Sequence, residues 1–170
     1  MGEVQVQEAK EVPEIEERFR IRGSDRIQIN NLLTAVSITV LAVLLSISKP
    51  GLSGWIIIQL AITIPCLVTS SLAYAKMCYR GTDEYHIWDN LGWVTHSLGY
   101  IMILNAITIL LHQNYPMIAW ILIGVTVLLF FIYSGLDIVA KRRRLKEKGL
   151  KLGFYLLLIF LGAVLPIIIG

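Results

Sequence analysis

Long stretches of this 170-residue sequence carry no charged side chain. Residues 50–75 and 91–136 contain no aspartate, glutamate, lysine or arginine, and their only imidazoles are His96 and His112. Coupled transporters and proton pumps usually place an ionisable relay at mid-membrane depth. The lack of such residues in these stretches therefore disfavours both classes of protein. Acidic residues are also missing from the two predicted outer loops, which excludes a ring of carboxylates collecting cations there.

Cysteine and catalytic motifs are equally scarce. Cys66 and Cys78 lie twelve positions apart on one predicted helix and cannot bridge each other within it. Their spacing does not fit a metal site, and the sequence has no phosphate loop, nucleophile elbow or zinc-binding helix motif. We therefore expect no enzyme activity, no cofactor and no metal.

Apolar residues dominate what is present. Charged residues make up 16% of the chain and apolar residues 56%, whereas a soluble domain carries about a quarter charged residues. Because one span needs about 20 mostly apolar residues, the sequence predicts an all-α integral membrane protein, a polytopic bundle of five transmembrane helices. The predicted spans cover residues 32–48, 54–79, 90–112, 117–140 and 153–170. Residues 1–30 form a predicted polar N-terminal segment, and residues 31–170 the transmembrane domain.

The distribution of lysine and arginine predicts the orientation. Fourteen of the fifteen lie in the N-terminal segment, the second loop and the fourth loop, and Lys49 alone lies in an outer loop. By the positive-inside rule, this bias places the N-terminus in the cytoplasm of a multi-pass protein, and we expect the plasma membrane. The basic run at residues 141–151 directly precedes a span, so we interpret it as a topology signal that touches lipid, with no nucleic-acid partner.

Polar residues follow one face of the second predicted span. Gln59, Thr63, Cys66 and Ser70 recur at intervals of four, three and four residues, which places them along one side of a helix. One interpretation is a pore lining of hydroxyl and amide groups. The alternative is that small hydroxyl residues let neighbouring helices approach closely.

A second candidate site lies near the cytoplasmic end of the third and fourth spans. His96 shares a helix face with Asp89, and its depth matches that of Tyr133 and Asp137 on the next, antiparallel span. An intramembrane histidine facing a carboxylate predicts a gate or a cation or proton site. Alternatively, Asp137 pairs with nearby Lys141 and His96 is an ordinary hydrogen-bonded residue.

Asn105 is the amide in the middle of the third span. An unpaired amide is costly in lipid, so we expect it to make a polar contact between helices.

These features leave two hypotheses for function. The first is a homo-oligomeric ion channel or passive pore with a cytoplasmic-side gate. The second is a non-conducting membrane scaffold or effector subunit that docks a cytoplasmic protein through its charged N-terminal segment. Ile15, Phe19 and Ile27 lie among the charges of that segment, enough for a weakly amphipathic helix.

Overall fold

The described chain is helical almost throughout. A computed structural model describes residues 2–47, 54–79, 84–140 and 145–169. The helices are α1 (Gly2–Ile47), α2 (Gly54–Tyr79), α3 (Tyr85–Asn114), α4 (Pro116–Ala140), α5 (Leu145–Ile159) and α6 (Leu165–Ile169), with a π-helical segment, Phe160–Val164, joining the last two.

Five helical stretches are long and apolar enough to cross a membrane, which confirms the predicted all-α bundle. They are Arg20–Ser46, Gly54–Tyr79, Tyr85–Asn114, Pro116–Leu136 and Gly149–Ile169. Many large apolar side chains remain exposed on the outside of the bundle, Leu128, Leu129 and Ile132 of α4 among them. Lipid supplies the apolar surroundings that these side chains require in a multi-pass membrane protein. The last stretch, predicted over residues 153–170, has the length for a crossing.

The first helix is much longer than its membrane-spanning part. It runs without a break from Gly2 to Ile47, about 69 Å at the usual helical rise. Residues 2–19 precede the candidate span Arg20–Ser46 and continue the same helix for about 27 Å. We call residues 2–19 the arm, and the end of the bundle from which they project the arm end. The polar segment predicted at residues 1–30 is thus largely continuous with the first span.

Glycines bring α2 and α3 into direct contact. Ser70 of α2 lies opposite Gly92 of α3, and Thr63 lies opposite Gly99, so both contacts repeat after seven residues. A seven-residue repeat keeps the interface on one side of each helix in a left-handed pair. A side chain at either glycine would overlap its neighbour, since a Cβ would lie 2.8 Å from the Tyr74 ring at Gly92 and 2.9 Å from Leu67 at Gly99.

The same seven-residue repeat packs α1 against α2. Among the α1 residues whose side chains the structure describes, Gly23, Asn30 and Ser37 are the buried ones, each seven residues from the next. A Cβ at Gly23 would overlap the sulfur of Cys78, so this glycine sets the close approach at the arm end. Small and polar residues therefore form the α1–α2 interface, as is usual where lipid removes the hydrophobic drive for association.

Buried apolar side chains form two cores. The first joins α2 and α3, and its buried members are Ile56, Leu60, Ala106 and Ile109. The second joins α3, α4 and the last span, and its buried members are Ile101, Ile123, Ile159 and Ala163. Because both cores include α3, this helix is the centre of the bundle.

Candidate functional site

A chain of hydrogen bonds crosses three helices beneath the arm end. Asn30 of α1 is fully buried and lies at its centre. Its Nδ2 donates to Ser70 Oγ of α2 at 2.9 Å, and its Oδ1 lies 2.6 Å from His96 Nδ1 of α3. Ser70 Oγ in turn donates to the Gly92 carbonyl at 2.8 Å. We call these four residues the Asn30 cluster.

The direction of every bond in the Asn30 cluster follows from the Gly92 carbonyl, which can only accept. Ser70 must give its hydrogen to this carbonyl, so it accepts from the amide group of Asn30. The carbonyl oxygen of Asn30 therefore faces His96, and His96 Nδ1 carries the hydrogen. The cluster fixes histidine in the Nδ1-protonated tautomer and leaves Nε2 as its basic nitrogen.

One turn closer to the arm, Arg26 holds α1 to the tyrosine of α2. Its guanidinium donates to the Tyr74 hydroxyl and its carbon Cζ lies 5.0 Å from the ring centroid. Tyr74 is completely buried and packs directly on Gly92. The buried Oδ1 of Asp89, a predicted gate residue, has no hydrogen-bond partner among the described residues. Asp89 interacts electrostatically with Tyr74, so it belongs to the same end of the bundle.

The predicted gate residues are spread over several helices. His96 is directed toward Asn30 of α1 and stacks on Tyr100, with 6.3 Å between the ring centroids. Tyr133 lies on α4 and is 67% exposed on the outside of the bundle. The side chain of Asp137 lies outside the described residues. The structure thus gives His96 an amide partner on α1, which sequence spacing did not indicate.

The predicted pore-lining stripe faces the interior of the protein. Gln59 is 3% exposed, Thr63 and Ser70 are fully buried, and Cys66 is half-buried. Thr63 Oγ1 lies 2.9 Å from the Gln59 carbonyl and 3.4 Å from that of Gly99, within hydrogen-bonding distance of both. These side chains hold α2 to α3 and to the last span.

Asn105 and Gln59 both bind the last span where its helix changes register. Asn105 Nδ2 donates to the Leu158 carbonyl at 3.0 Å, and Gln59 Nε2 donates to the Gly162 carbonyl at 2.6 Å. A proline at position 166 has no N–H, so the Gly162 carbonyl lacks its usual helical donor. Gln59 therefore supplies the donor that Pro166 cannot give to Gly162, and Asn105 binds the last span one turn earlier, at Leu158.

These polar contacts join helices. Among the described residues, no group of three histidine, cysteine, aspartate or glutamate side chains is placed to hold a metal ion. The Asn30 cluster links α1, α2 and α3 through groups that each have a defined donor or acceptor role. Because Asn30 bonds to both α2 and α3, a displacement of α1 at this point would disturb its packing on both helices.

Arg26, Asn30, Tyr74 and Gly92 are the residues of this site that the sequence spacing alone did not single out. A signal for Asn30 exists, because Gly23, Asn30 and Ser37 are small or polar residues at intervals of seven within or beside an apolar run. Gly92 and Gly99 repeat the interval on α3. Such matched repeats on consecutive spans indicate the faces at which helices meet.

Replacing Asn30 by leucine should lower the free energy of unfolding by about 1–2 kcal/mol. The change removes the acceptor of His96 Nδ1 and leaves a buried donor without a partner. Asn31→Leu is the matched control, since Asn31 is exposed and its bond to Ser71 at 3.3 Å is exposed as well. Unfolding in mixed detergent micelles, followed by circular dichroism, measures both variants.

A double-mutant cycle with His96→Phe assigns the cost of Asn30→Leu to this bond. The two losses should be less than additive, because each removes the same interaction. Equal stabilities of Asn30→Leu and Asn31→Leu would contradict the role given to Asn30.

No protein-family model matches this chain, and no curated protein or solved structure matches it either.

Proposed function

We propose that this protein is a non-conducting membrane scaffold or effector subunit whose arm binds a cytoplasmic protein. The observation that carries the proposal is the continuity of α1 from Gly2 to Ile47. A helix that leaves the bundle without a hinge presents its outer part at a fixed angle and height. It also passes any force on the arm directly to the first span.

Helices α2 and α3 contact α1 immediately below the arm. Gly23 lies against Cys78, Arg26 binds Tyr74, and Asn30 binds α2 and α3 together. These contacts occupy two turns of α1, next to the point where the arm begins. An arm that served only as a loose tail would need no such attachment. A partner on the arm would therefore be coupled to the packing of α3.

The composition of the arm favours a basic partner surface. Residues 2–19 contain six glutamates, against Lys10 and Arg18. An acidic helix is repelled by anionic headgroups and attracted to lysine- and arginine-rich proteins. We place the arm in the cytoplasm of a plasma-membrane protein, because fourteen of the fifteen lysines and arginines are then on the cytoplasmic side.

The interior polar groups support a non-conducting bundle. Ser70 and Thr63 lie within hydrogen-bonding distance of backbone carbonyls of α3, and glycines hold the two helices in contact at both points. Gln59 and Asn105 donate to carbonyls of the last span. Opening a water-filled path here would break these bonds. It would also separate α2 from α3, whose glycines pack directly against side chains of α2.

A photo-crosslinking amino acid at Glu17 tests the arm as a docking segment. Glu17 is exposed on the arm, and the same amino acid at Met117, 78% exposed at the opposite end of the bundle, is the control. In cells of the source organism, we expect one recurring protein adduct from position 17 and none from position 117. The proposal fails if position 17 gives no adduct, or gives the same adducts as position 117.

Ion flux tests the non-conducting character separately. Purified protein in liposomes should pass no more potassium, sodium or protons than empty liposomes. The competing hypothesis is a homo-oligomeric passive pore. One observation favours it, because α1, α2 and α3 each contribute buried polar side chains, among them Asn30, Gln59 and Asn105. Flux above the empty liposomes that falls in His96→Ala or Gln59→Met would establish the pore and overturn the scaffold.

A further inference from the structure

Five charged and aromatic side chains from three helices come together at the arm end. They are Arg22 and Arg26 of α1, Tyr74 of α2, and Tyr85 and Asp89 of α3. Tyr74 and Tyr85 each interact electrostatically with both arginines and with Asp89. The arginines lie about one turn apart on α1, and Tyr85 and Asp89 about one turn apart on α3. We call these five residues the arm-end cluster.

The carboxylate of Asp89 lacks a donor at its enclosed oxygen. Its Oδ1 is buried and has no hydrogen-bond partner among the described residues, while the side chain as a whole is half-buried. The guanidinium of Arg26 donates to the Tyr74 hydroxyl instead. A carboxylate that is withdrawn from water without a full set of donors is costly. A group that binds at its accessible edge should therefore carry N–H donors and a positive charge.

The two arginines supply donors for an anion beside this carboxylate. Arg22 is exposed and Arg26 is half-buried. A guanidinium carries five N–H donors, and the bond to Tyr74 occupies one of those of Arg26. Phosphate oxygens match the fork of a guanidinium well. The arm-end cluster thus combines donors for an anion with an acceptor for a cation.

The arm-end cluster lies at the depth of the lipid headgroups. Arg22 and Asp89 belong to the first two turns of the candidate spans Arg20–Ser46 and Tyr85–Asn114. Trp88, the neighbour of Asp89 in the chain, is half-buried, and tryptophan concentrates at this level of a bilayer. The molecules that surround a membrane protein at this depth are phospholipids, whose phosphate and head-alcohol groups lie there.

We propose that the arm-end cluster binds the headgroup of phosphatidylethanolamine. The ammonium group of the lipid donates to the Asp89 carboxylate, and its phosphate accepts hydrogen bonds from Arg22 and Arg26. Phosphatidylcholine carries the same phosphate, but its trimethylammonium group has no N–H to donate. Phosphatidylglycerol has no cation to place at Asp89. The site does not depend on a protein that binds the arm.

Native mass spectrometry tests the proposal with phosphatidylethanolamine and phosphatidylcholine of identical acyl chains, mixed in equal amounts. The unmodified protein should retain phosphatidylethanolamine preferentially. Asp89→Asn should reduce this preference about fivefold, since a hydrogen bond to a buried charge contributes about tenfold and Asp89 is half-buried. Asp25→Asn is the matched control, because Asp25 is an exposed acid next to Arg26, and it should leave the preference unchanged.

Arg22→Gln separates the two halves of the site. Both lipids carry the phosphate, so this variant should retain less of each and keep the ratio between them. Asp89→Asn should instead lower the retention of phosphatidylethanolamine alone. A change of ratio in Arg22→Gln as large as that in Asp89→Asn would contradict the assignment of the ammonium group to Asp89.

Three further outcomes would overturn the proposal. They are equal retention of the two lipids by the unmodified protein, an unchanged preference in Asp89→Asn, and an equal loss in Asp25→Asn. If Asp89→Asn fails to fold, the unmodified protein decides the question with lipids that carry one, two or three N-methyl groups. Retention should fall with each methyl group, and equal retention along the series would overturn the proposal. Soluble phosphoethanolamine that raises the melting temperature in detergent as much as the lipid does would identify a site for soluble zwitterions instead.

Discussion

Replacing Gly92 by alanine should lower the free energy of unfolding by about 1–3 kcal/mol, the usual cost of adding volume to a packed core. The new Cβ would lie 2.8 Å from two atoms of the Tyr74 ring, closer than real side chains approach one another. Tyr74 has no free space, because it is completely buried and its hydroxyl binds Arg26. The ring must therefore move, and the bond that fixes α1 below the arm moves with it.

Gly99→Ala tests the same interface one heptad away. Its Cβ would lie 2.9 Å from Leu67, which is also completely buried, so we expect a loss in the same range. The two variants should differ in one respect, since Gly92→Ala displaces Tyr74 and Gly99→Ala does not. Proteolysis between the arm and the bundle should accelerate in Gly92→Ala and remain slow in Gly99→Ala.

Gly124→Ala is the control for both glycine variants. This glycine lies in α4 with nothing within 4 Å of its would-be Cβ, and alanine is the better helix former. Its unfolding free energy should stay level or rise slightly. Chemical unfolding of all three proteins in the same micelles gives the comparison. Losses of equal size at positions 92, 99 and 124 would contradict the close packing assigned to Gly92 and Gly99.

The lengths of the apolar runs were enough to predict the spans, and helix-breaking or charged residues marked several of their ends. The prediction for the second span, residues 54–79, coincides with α2, because Pro50 and Gly51 precede it and Arg80 follows it. The third span begins earlier than predicted, at Tyr85, because Asp89 did not end the helix. The first helix likewise begins far before the predicted span, because glutamate and arginine are good helix formers outside the membrane as well.

The partners of the polar residues were much harder to predict than the spans. Helical spacing correctly placed Gln59, Thr63 and Ser70 on one face, but it did not determine whether that face met lipid, an axis or another helix. That choice depends on how each helix is rotated and on which glycine it meets. His96 shows the difficulty, because its partner Asn30 lies 66 positions away on a helix that is not adjacent in sequence.

The bond from Gln59 to the last span tests how polar groups stabilise this bundle. Gln59→Met keeps the side-chain volume but removes the donor to the Gly162 carbonyl. We expect a loss of about 1–3 kcal/mol, because a buried carbonyl is left without a partner. The buried Gln59 Oε1 has no partner among the described residues, and removing it offsets part of the loss. The measured value should therefore lie in the lower half of this range.

Pro166→Ala should reduce the cost of Gln59→Met. Proline deprives the Gly162 carbonyl of the N–H four residues later, and alanine restores it. In the Pro166→Ala protein, the carbonyl then has a donor within its own helix, and Gln59 becomes dispensable there. A double-mutant cycle on unfolding free energies should give a coupling of about 1 kcal/mol or more.

Pro65→Ala is the control, because it restores a donor in α2 and leaves Gly162 unchanged. If the losses from Gln59→Met are equal in all three backgrounds, the glutamine stabilises the bundle by packing alone. If the loss shrinks only with Pro166→Ala, a side chain of α2 has replaced the backbone donor that proline removed from the last span.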